Sequence, residues 1–287
     1  MIKNDKLTVF APAKVNLHLA VKNKREDGFH GLESVFLALD FGDLLHFEVL
    51  DAVSDEITMR NHAIPMPNNI IYKAITLFRK KTGFSQGLKV TAEKRIPLGG
   101  GLGGGSSNAA STLLALNEIC RVTSEACSRE TLLEMAASLG SDVPFFVHET
   151  PAALVTGRGE IIEPVNMPSM SLVLINPGFS SDTARAFRLL DEKRSNKEEF
   201  TQRRQEHQGF GLNMKEFFND FLDVFPEEEQ SIYNEIISAL QSQGAQYANL
   251  SGSGATCFGV FEDKDQAQKA ADTLRGKWDF IEVCSSK

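Results

Sequence analysis

Two segments of this chain carry residue types that act on charged ligands. One is Pro97-Leu98-Gly99-Gly100-Gly101-Leu102-Gly103-Gly104-Gly105-Ser106-Ser107, in which six of the seven residues from Gly99 to Gly105 are glycine. Without a Cβ, backbone N–H groups can turn inward and a ligand can approach the chain closely. The stretch feeds into a helical pattern, whose unpaired amides and partial positive charge favour an anion. A flanking strand and helix argue against a flexible linker, so the natural reading is a phosphate-binding loop. The other segment is Lys14-Val15-Asn16-Leu17-His18-Leu19-Ala20-Val21. Its alternation puts Lys14, Asn16 and His18 on one face of a strand and Val15, Leu17, Leu19 and Val21 on the other. Taken alone, the polar face reads as the solvated side of an edge strand. Asp142, in Leu139-Gly140-Ser141-Asp142-Val143-Pro144-Phe145-Phe146, reads by itself either as a helix cap or as a proton acceptor.

Known phosphate loops narrow the choice. No Lys-Ser/Thr pair closes the glycine run, so it is not a Walker A loop. Gly99, Gly101 and Gly104 satisfy GxGxxG, but a second helix follows instead of the strand a dinucleotide-binding unit needs. Ribose-binding acid there is none, which leaves a nicotinamide oxidoreductase without support. Protein-kinase HRD and DFG signatures are also missing.

Elements that position these residues follow from periodicity. Strands are expected at 35–41, 44–50, 57–60, 88–94, 172–175, 256–261 and near Ile281, with turns around Gly28, Gly31 and Gly42. A helix starts after Asn69 as cap, with Ile70, Ile71, Ala74, Leu77 and Phe78 on one face, and stops at Gly83. Further helices are expected over 107–119, over 129–139 after a cap at Ser128, from Pro226 past Leu240, and over 265–275. Met214, Phe217, Phe218, Phe221, Leu222 and Phe225 read as one more amphipathic helix with a core-packing stripe. The charged stretch 191–209 reads as a mobile insertion or a solvated helix and not as a site. Strands and helices mix without regular alternation, which predicts an α+β fold. At 287 residues, two domains are expected, divided near 160–170 into 1–163 and 164–287.

Composition excludes other classes. Hydrophobic residues make up 42% and charged residues 24%, so the chain is neither disordered nor a coiled coil. The net charge of −8, from 30 Lys+Arg against 38 Asp+Glu, disfavours long nucleic acid as a partner. No apolar run approaches a membrane span, and no signal peptide is visible at the N-terminus, so no membrane partner and a cytoplasmic location are expected. Cys120, Cys127, Cys257 and Cys284 fit neither zinc nor a disulfide framework and read as thiols in a reducing compartment.

Four segments then count together: Ala11-Pro12-Ala13-Lys14-Val15-Asn16-Leu17, the glycine loop continued through Asn108-Ala109-Ala110, Leu139 to Phe146, and Ser251-Gly252-Ser253-Gly254-Ala255-Thr256. They resemble the motifs of the GHMP kinases, the galactokinase–homoserine kinase–mevalonate kinase superfamily. The pattern from Arg25 to Leu32 and the doubled glycine triplet resemble those members whose alcohol substrate carries a cytidine diphosphate group and which serve the non-mevalonate isoprenoid route. The resemblance runs in order from about residue 8 to about residue 262; 191–211 and the C-terminal end carry no matching motif.

The resemblance implies a two-domain GHMP fold with its active site in the cleft between domains, and ATP with Mg²⁺ as cofactors. It places ATP phosphates on Pro97, Gly99, Gly100, Gly101, Gly103, Gly104, Gly105, Ser106 and Ser107, with Ser106 or Ser107 able to reach the metal. Asp142 matches the family's aspartate, as base or orienter of the attacking hydroxyl, and Lys14 the lysine beside it. Asn16 and Thr183 match substrate contacts. Phe29 and Phe187 match two aromatics that sandwich cytosine, and His30 the histidine that bonds it. Phe29 stands where the family more often has Tyr, which keeps stacking and loses a phenol hydrogen bond. Arg158 stands where an acid is frequent. Gly252, Ser253 and Gly254 would line the phosphate cleft, while Asn69 and Lys94 would flank adenine. A kinase for another small alcohol is the alternative, a catalytically silent binder of the same fold a further one. A monomer or a homodimer is expected.

Overall fold

The computed structural model describes residues 6–51, 54–60, 64–123, 126–195 and 213–287. Its framework is a hairpin of two unusually long strands, β1 (Lys6–Lys24) and β2 (His30–Leu50), paired from Lys6↔Glu48 to Lys24↔His30. The sequence predicts a turn at Gly42, yet β2 passes straight through it. A Cβ at Gly42 would lie 2.3 Å from the Ala11 carbonyl oxygen, and the register slips between Pro12 and Lys14. Gly42 therefore marks a kink where two backbones touch.

Around β2 gather β3 (Glu56–Arg60), β4 (Gly87–Glu93), β5 (Ala152–Gly157) and β6 (Ile161–Pro164), in the order β3-β4-β2-β5-β6 with β1 beside β2. Only β3 and β4 are parallel within it. A second, antiparallel sheet has the order β10-β7-β9-β8, from β7 (Ser171–Asn176), β8 (Tyr247–Leu250), β9 (Cys257–Phe261) and β10 (Phe280–Ser285). Helices are α1 (Ile70–Thr82), α2 (Gly104–Thr123), α3 (Arg129–Leu139), α4 (Val143–His148), α5 (Thr183–Ser195), α6 (Glu227–Ser242) and α7 (Lys264–Leu274). This is the expected α+β class. Antiparallel sheets need no regular helical crossovers, which is why the elements do not alternate.

Local chemistry sets the helix ends. Asn69 caps α1 by accepting from the Ile71 amide, and Gly83 closes it at φ 76°. Ser128 caps α3 through the Thr131 amide. Two expectations need correction. The polar face of β1 is not solvated: Lys14, Asn16 and His18 are 3%, 3% and 2% exposed. The aromatic stripe of 214–225 packs in the core as expected, but not as a helix. After a single 3₁₀ turn at Met214–Glu216, the backbone amide of Leu19 donates to Phe218, and that of Asp220 donates back to Leu19. Pairing with β1 overrides the helical spacing. Residues 191–195 are the last turn of α5, and 196–209 lie outside the described residues.

The hairpin feeds every core. Phe36, Phe47, Phe78 and Phe145 pack under α1, α2 and α3. Leu19 and Val21 join Phe221, Tyr233 and Phe261 beneath α5, α6 and α7. Val15, Leu17 and Leu37 meet Leu172, Leu174 and Phe258 between the sheets. Among the described residues, no helix is long and apolar enough to cross a membrane.

All four cysteines are free thiols; Cys120, Cys257 and Cys284 are buried. Burial pushes the Cys257 and Cys284 thiols well above their ordinary range, and raises Cys127 to a lesser degree. Thiolate is the reactive form. A disulfide-exchange reagent is therefore expected to modify at most Cys127, slowly, in the folded protein and all four in denaturant. Rapid reaction of two or more thiols in the native state would contradict this packing.

Candidate active site

The centre of the site is the ammonium of Lys14. Its side chain is 4% exposed and is surrounded by three partners: Asn16 Oδ1 at 2.6 Å, Asp142 Oδ2 at 3.3 Å and the Phe36 ring at 4.6 Å. Asn16 is held in turn. Its amide nitrogen donates to Ser34 Oγ at 2.9 Å, and its backbone amide donates to Ser251 Oγ at 3.3 Å. His18 turns away, its Nδ1 accepting from the Phe218 amide at 3.2 Å. Asp142 occupies the residue before α4 but makes no capping hydrogen bond. Pro144 at the start of α4 needs no cap for its own missing N–H, so the carboxylate is left to face Lys14.

The glycine loop is polarised by its partners. Gly99 accepts from Ser181 at 2.9 Å and Ala255 at 3.3 Å, Gly100 from Thr256 at 3.1 Å, Gly101 from Ser251 Oγ at 2.9 Å and Leu102 from Lys14 at 3.0 Å. With the carbonyls turned to protein, the first backbone amide to find an acceptor at the start of α2 is Ser107, on Gly103 at 2.8 Å. Amides of Gly104, Gly105 and Ser106 remain for a ligand, as at any helix start. The glycines differ in why they are needed. A Cβ at Gly101 would sit 2.1 Å from the Ser251 carbonyl oxygen, and one at Gly103 would sit 3.0 Å from Lys14 Cγ. One at Gly105 would meet nothing within 4 Å. Ser106 is half-buried, whereas Ser107 is fully buried and its hydroxyl has no hydrogen-bond partner among the described residues. Between the two serines, Ser106 is the one a ligand can reach.

Ser251 to Thr256 closes this loop from the other sheet. Asn219 holds its turn by donating to the Leu250 and Gly252 carbonyls at 2.7 and 2.8 Å. Ser253 Oγ pairs with Thr183 Oγ1 at 2.9 Å, which brings the expected Thr183 to the same cleft. Of the three residues matched to the base pocket, His30 and Phe187 are in contact. The His30 ring stacks on Phe187, at 5.1 Å and 19° between planes. Phe29, 55% exposed, carries the Arg158 guanidinium 4.7 Å above its ring, so Arg158 has a place.

Asn69 and Lys94 have structural tasks. Asn69 caps α1 and is 3% exposed. The Lys94 ammonium, 2% exposed, pairs with Asp43, a carboxylate with no exposure at all. Asp43 also accepts from the backbone amides of Arg95 at 2.8 Å and Ile96 at 2.9 Å, and from Asn108 Nδ2 at 2.8 Å. It clamps the chain on both sides of the glycine loop. Sequence reading missed Asp43, which follows Gly42 between the two apolar stretches of β2.

Residues 69–150 match the GHMP kinase N-terminal domain and 198–279 the GHMP kinase C-terminal domain. A 4-diphosphocytidyl-2-C-methyl-D-erythritol kinase of Thermodesulfovibrio yellowstonii is 37% identical over 95% of each chain. One from Prochlorococcus marinus is 34% identical over 92% of this chain and 88% of that one. A crystal structure of 4-(cytidine 5'-diphospho)-2C-methyl-D-erythritol kinase superposes with TM-score 0.79 at 29% identity, covering 97% of this chain and 98% of that one. A mevalonate kinase of L. major shares the fold at TM-score 0.71 and 18% identity, over 100% of this chain and 99% of that one. Fold and site thus define a GHMP kinase, a phosphotransferase with an alcohol as acceptor. Within that class, the chain belongs to the 4-diphosphocytidyl-2-C-methyl-D-erythritol kinase family.

Replacing Asp43 by Ala leaves the buried Lys94 ammonium without its countercharge. The expected loss is about 3–5 kcal/mol of stability, the scale for breaking one buried ion pair, read by denaturant unfolding. A variant within 1 kcal/mol of wild type, roughly the value of an exposed pair, would refute the clamp.

Proposed function

We propose that this chain transfers the γ-phosphoryl group of ATP to the 2-hydroxyl of 4-diphosphocytidyl-2-C-methyl-D-erythritol, with Asp142 and Lys14 at the reacting oxygen. The observation that carries the assignment of roles is the Lys14–Asp142 pair, with Asp142 making no cap and Lys14 packed directly against the glycine loop at Leu102 and Gly103. Phosphoryl transfer asks for alignment and charge neutralisation more than for covalent help. The hydroxyl oxygen bonds to the γ-phosphorus in line as the bond to the β-bridging oxygen breaks, and ADP leaves. The hydroxyl proton passes to the Asp142 carboxylate, whose side chain is 27% exposed to the cleft. Lys14 supplies fixed positive charge beside the oxygen on which negative charge develops. Asn16, by holding the ammonium, fixes where that charge sits.

ATP phosphates lie on the amides of Gly104, Gly105 and Ser106, and the open space at Gly105 accepts them. Mg²⁺ neutralises the phosphates when bound. The Ser106 hydroxyl and phosphate oxygens would hold it, since no group of three or more His, Cys, Asp or Glu suited to a metal occurs among the described residues. Phe29, His30 and Phe187 receive the cytosine, with Phe29 and Phe187 supplying stacking surface. In that role the enzyme serves the non-mevalonate isoprenoid route, in the cytoplasm.

An ATP-consumption assay with this substrate and Mg²⁺ tests the reading. Turnover by wild type and a loss of at least ~100-fold in Asp142→Asn are expected, the scale for one general base. Nucleotide binding without turnover would instead favour another alcohol. The loop is tested separately: Gly105→Ala is expected to fold with wild-type stability and bind ATP at least ~10-fold more weakly, because its methyl fills the phosphate space. Unchanged ATP affinity would place the phosphates elsewhere.

A further inference from the structure

Helix α5 presents Thr183, Phe187 and Asp191 at intervals of four residues, so the three share one face. Thr183 meets the phosphate cleft at Ser253, and Phe187 stacks on His30. Asp191 ends the stripe. Its Oδ1 lies 2.8 Å from His30 Nε2, and its Oδ2 lies 3.9 Å from Lys24 Nζ. A carboxylate only accepts, so Nε2 carries the hydrogen of this bond. His30 is thereby fixed twice, in plane by Phe187 and in rotation by Asp191, with its side chain 7% exposed. Nδ1 is left, and among the described residues it has no hydrogen-bond partner.

We infer that Asp191 is a positioning residue for base recognition: it fixes the His30 ring so that Nδ1, and not Nε2, faces the pyrimidine. This rests on the base-pocket reading above. Cytosine offers an amino donor at C4 where uracil offers a carbonyl acceptor, so the two bases present opposite edges to one fixed ring nitrogen. A histidine free to rotate could present either nitrogen and would discriminate less. Asp191 therefore acts on preference between bases, through His30, without touching the phosphate cleft.

The test uses CDP and UDP titrated into the full-length protein by calorimetry, with steady-state kinetics on the cytidine substrate. For Asp191→Ala, a roughly 10- to 100-fold weaker CDP affinity is expected, the range for losing one hydrogen bond to a charged group. The preference for CDP over UDP should narrow in parallel. KM for the cytidine substrate should rise while kcat and the KM for ATP stay within about twofold, the signature of lost uniform binding. Asp191→Asn keeps an oxygen that accepts from Nε2 and should retain most of the affinity. Wild-type CDP affinity in Asp191→Ala overturns the inference, as does a matched loss of kcat and ATP binding. If wild type binds no CDP, the base pocket itself is wrong and this inference falls with it, an outcome distinct from the others.

Discussion

A lysine ammonium shut away from water has to be surrounded by its compensation, and here that requirement organises the molecule. Removing such a charge from solvent costs several kcal/mol unless partners replace the lost hydration. Lys14 finds them in Asn16, Asp142 and the face of Phe36, drawn from β1, the residue preceding α4, and β2. Each partner is itself constrained. Ser34 and Ser251 fix Asn16, and the edge of Phe145 supports Phe36 at 5.2 Å. A charge confined in this way need not reorganise when negative charge appears beside it, which is where electrostatic catalysis gains most.

The glycine loop obeys a complementary rule. A backbone carries donors and acceptors in equal number, so a surface that offers only donors must dispose of its acceptors elsewhere. From Gly99 to Leu102 the carbonyls are taken by the Ser251–Thr256 turn, by Ser181 and by Lys14. Such close contact tolerates no Cβ at Gly101. Several of the glycines thus serve the seam between protein segments as much as the ligand, while Gly105 has only open space before it. Asp43 anchors both ends of this arrangement from below.

How far the sequence speaks depends on the range of the interactions involved. Asn69, Gly83 and Ser128 act within a few residues, and their capping was readable. Alternation put Lys14 and Asn16 on one face, which local pattern alone can give. That the face is buried was not readable, because its cover comes from Phe218 over His18 and Ser251 over Asn16, 200 and 235 residues away. Phe217, Phe218 and Phe221 mimic helical spacing, yet a bridge from Leu19 to Asn219 extends the chain there. Asp191 was hidden by its charged neighbours, although its four-residue interval from Phe187 was present. Roles at the site came from motif resemblance; the stacking of His30 on Phe187 and of Arg158 on Phe29 came only from three-dimensional packing.

The long β1–β2 ribbon has a consequence for how the protein comes apart. The six-stranded sheet uses residues up to Pro164 and the four-stranded sheet begins at Ser171, which suggests two separable lobes. Their cores say otherwise, since Leu19 and Val21 are buried among residues of the second half and Val15 and Leu17 lie between the sheets. Melting either lobe strips apolar cover from the ribbon that holds the other. Architecture with two lobes is therefore compatible with a single cooperative unfolding event, and the smallest autonomous folding unit is larger than either sheet with its helices.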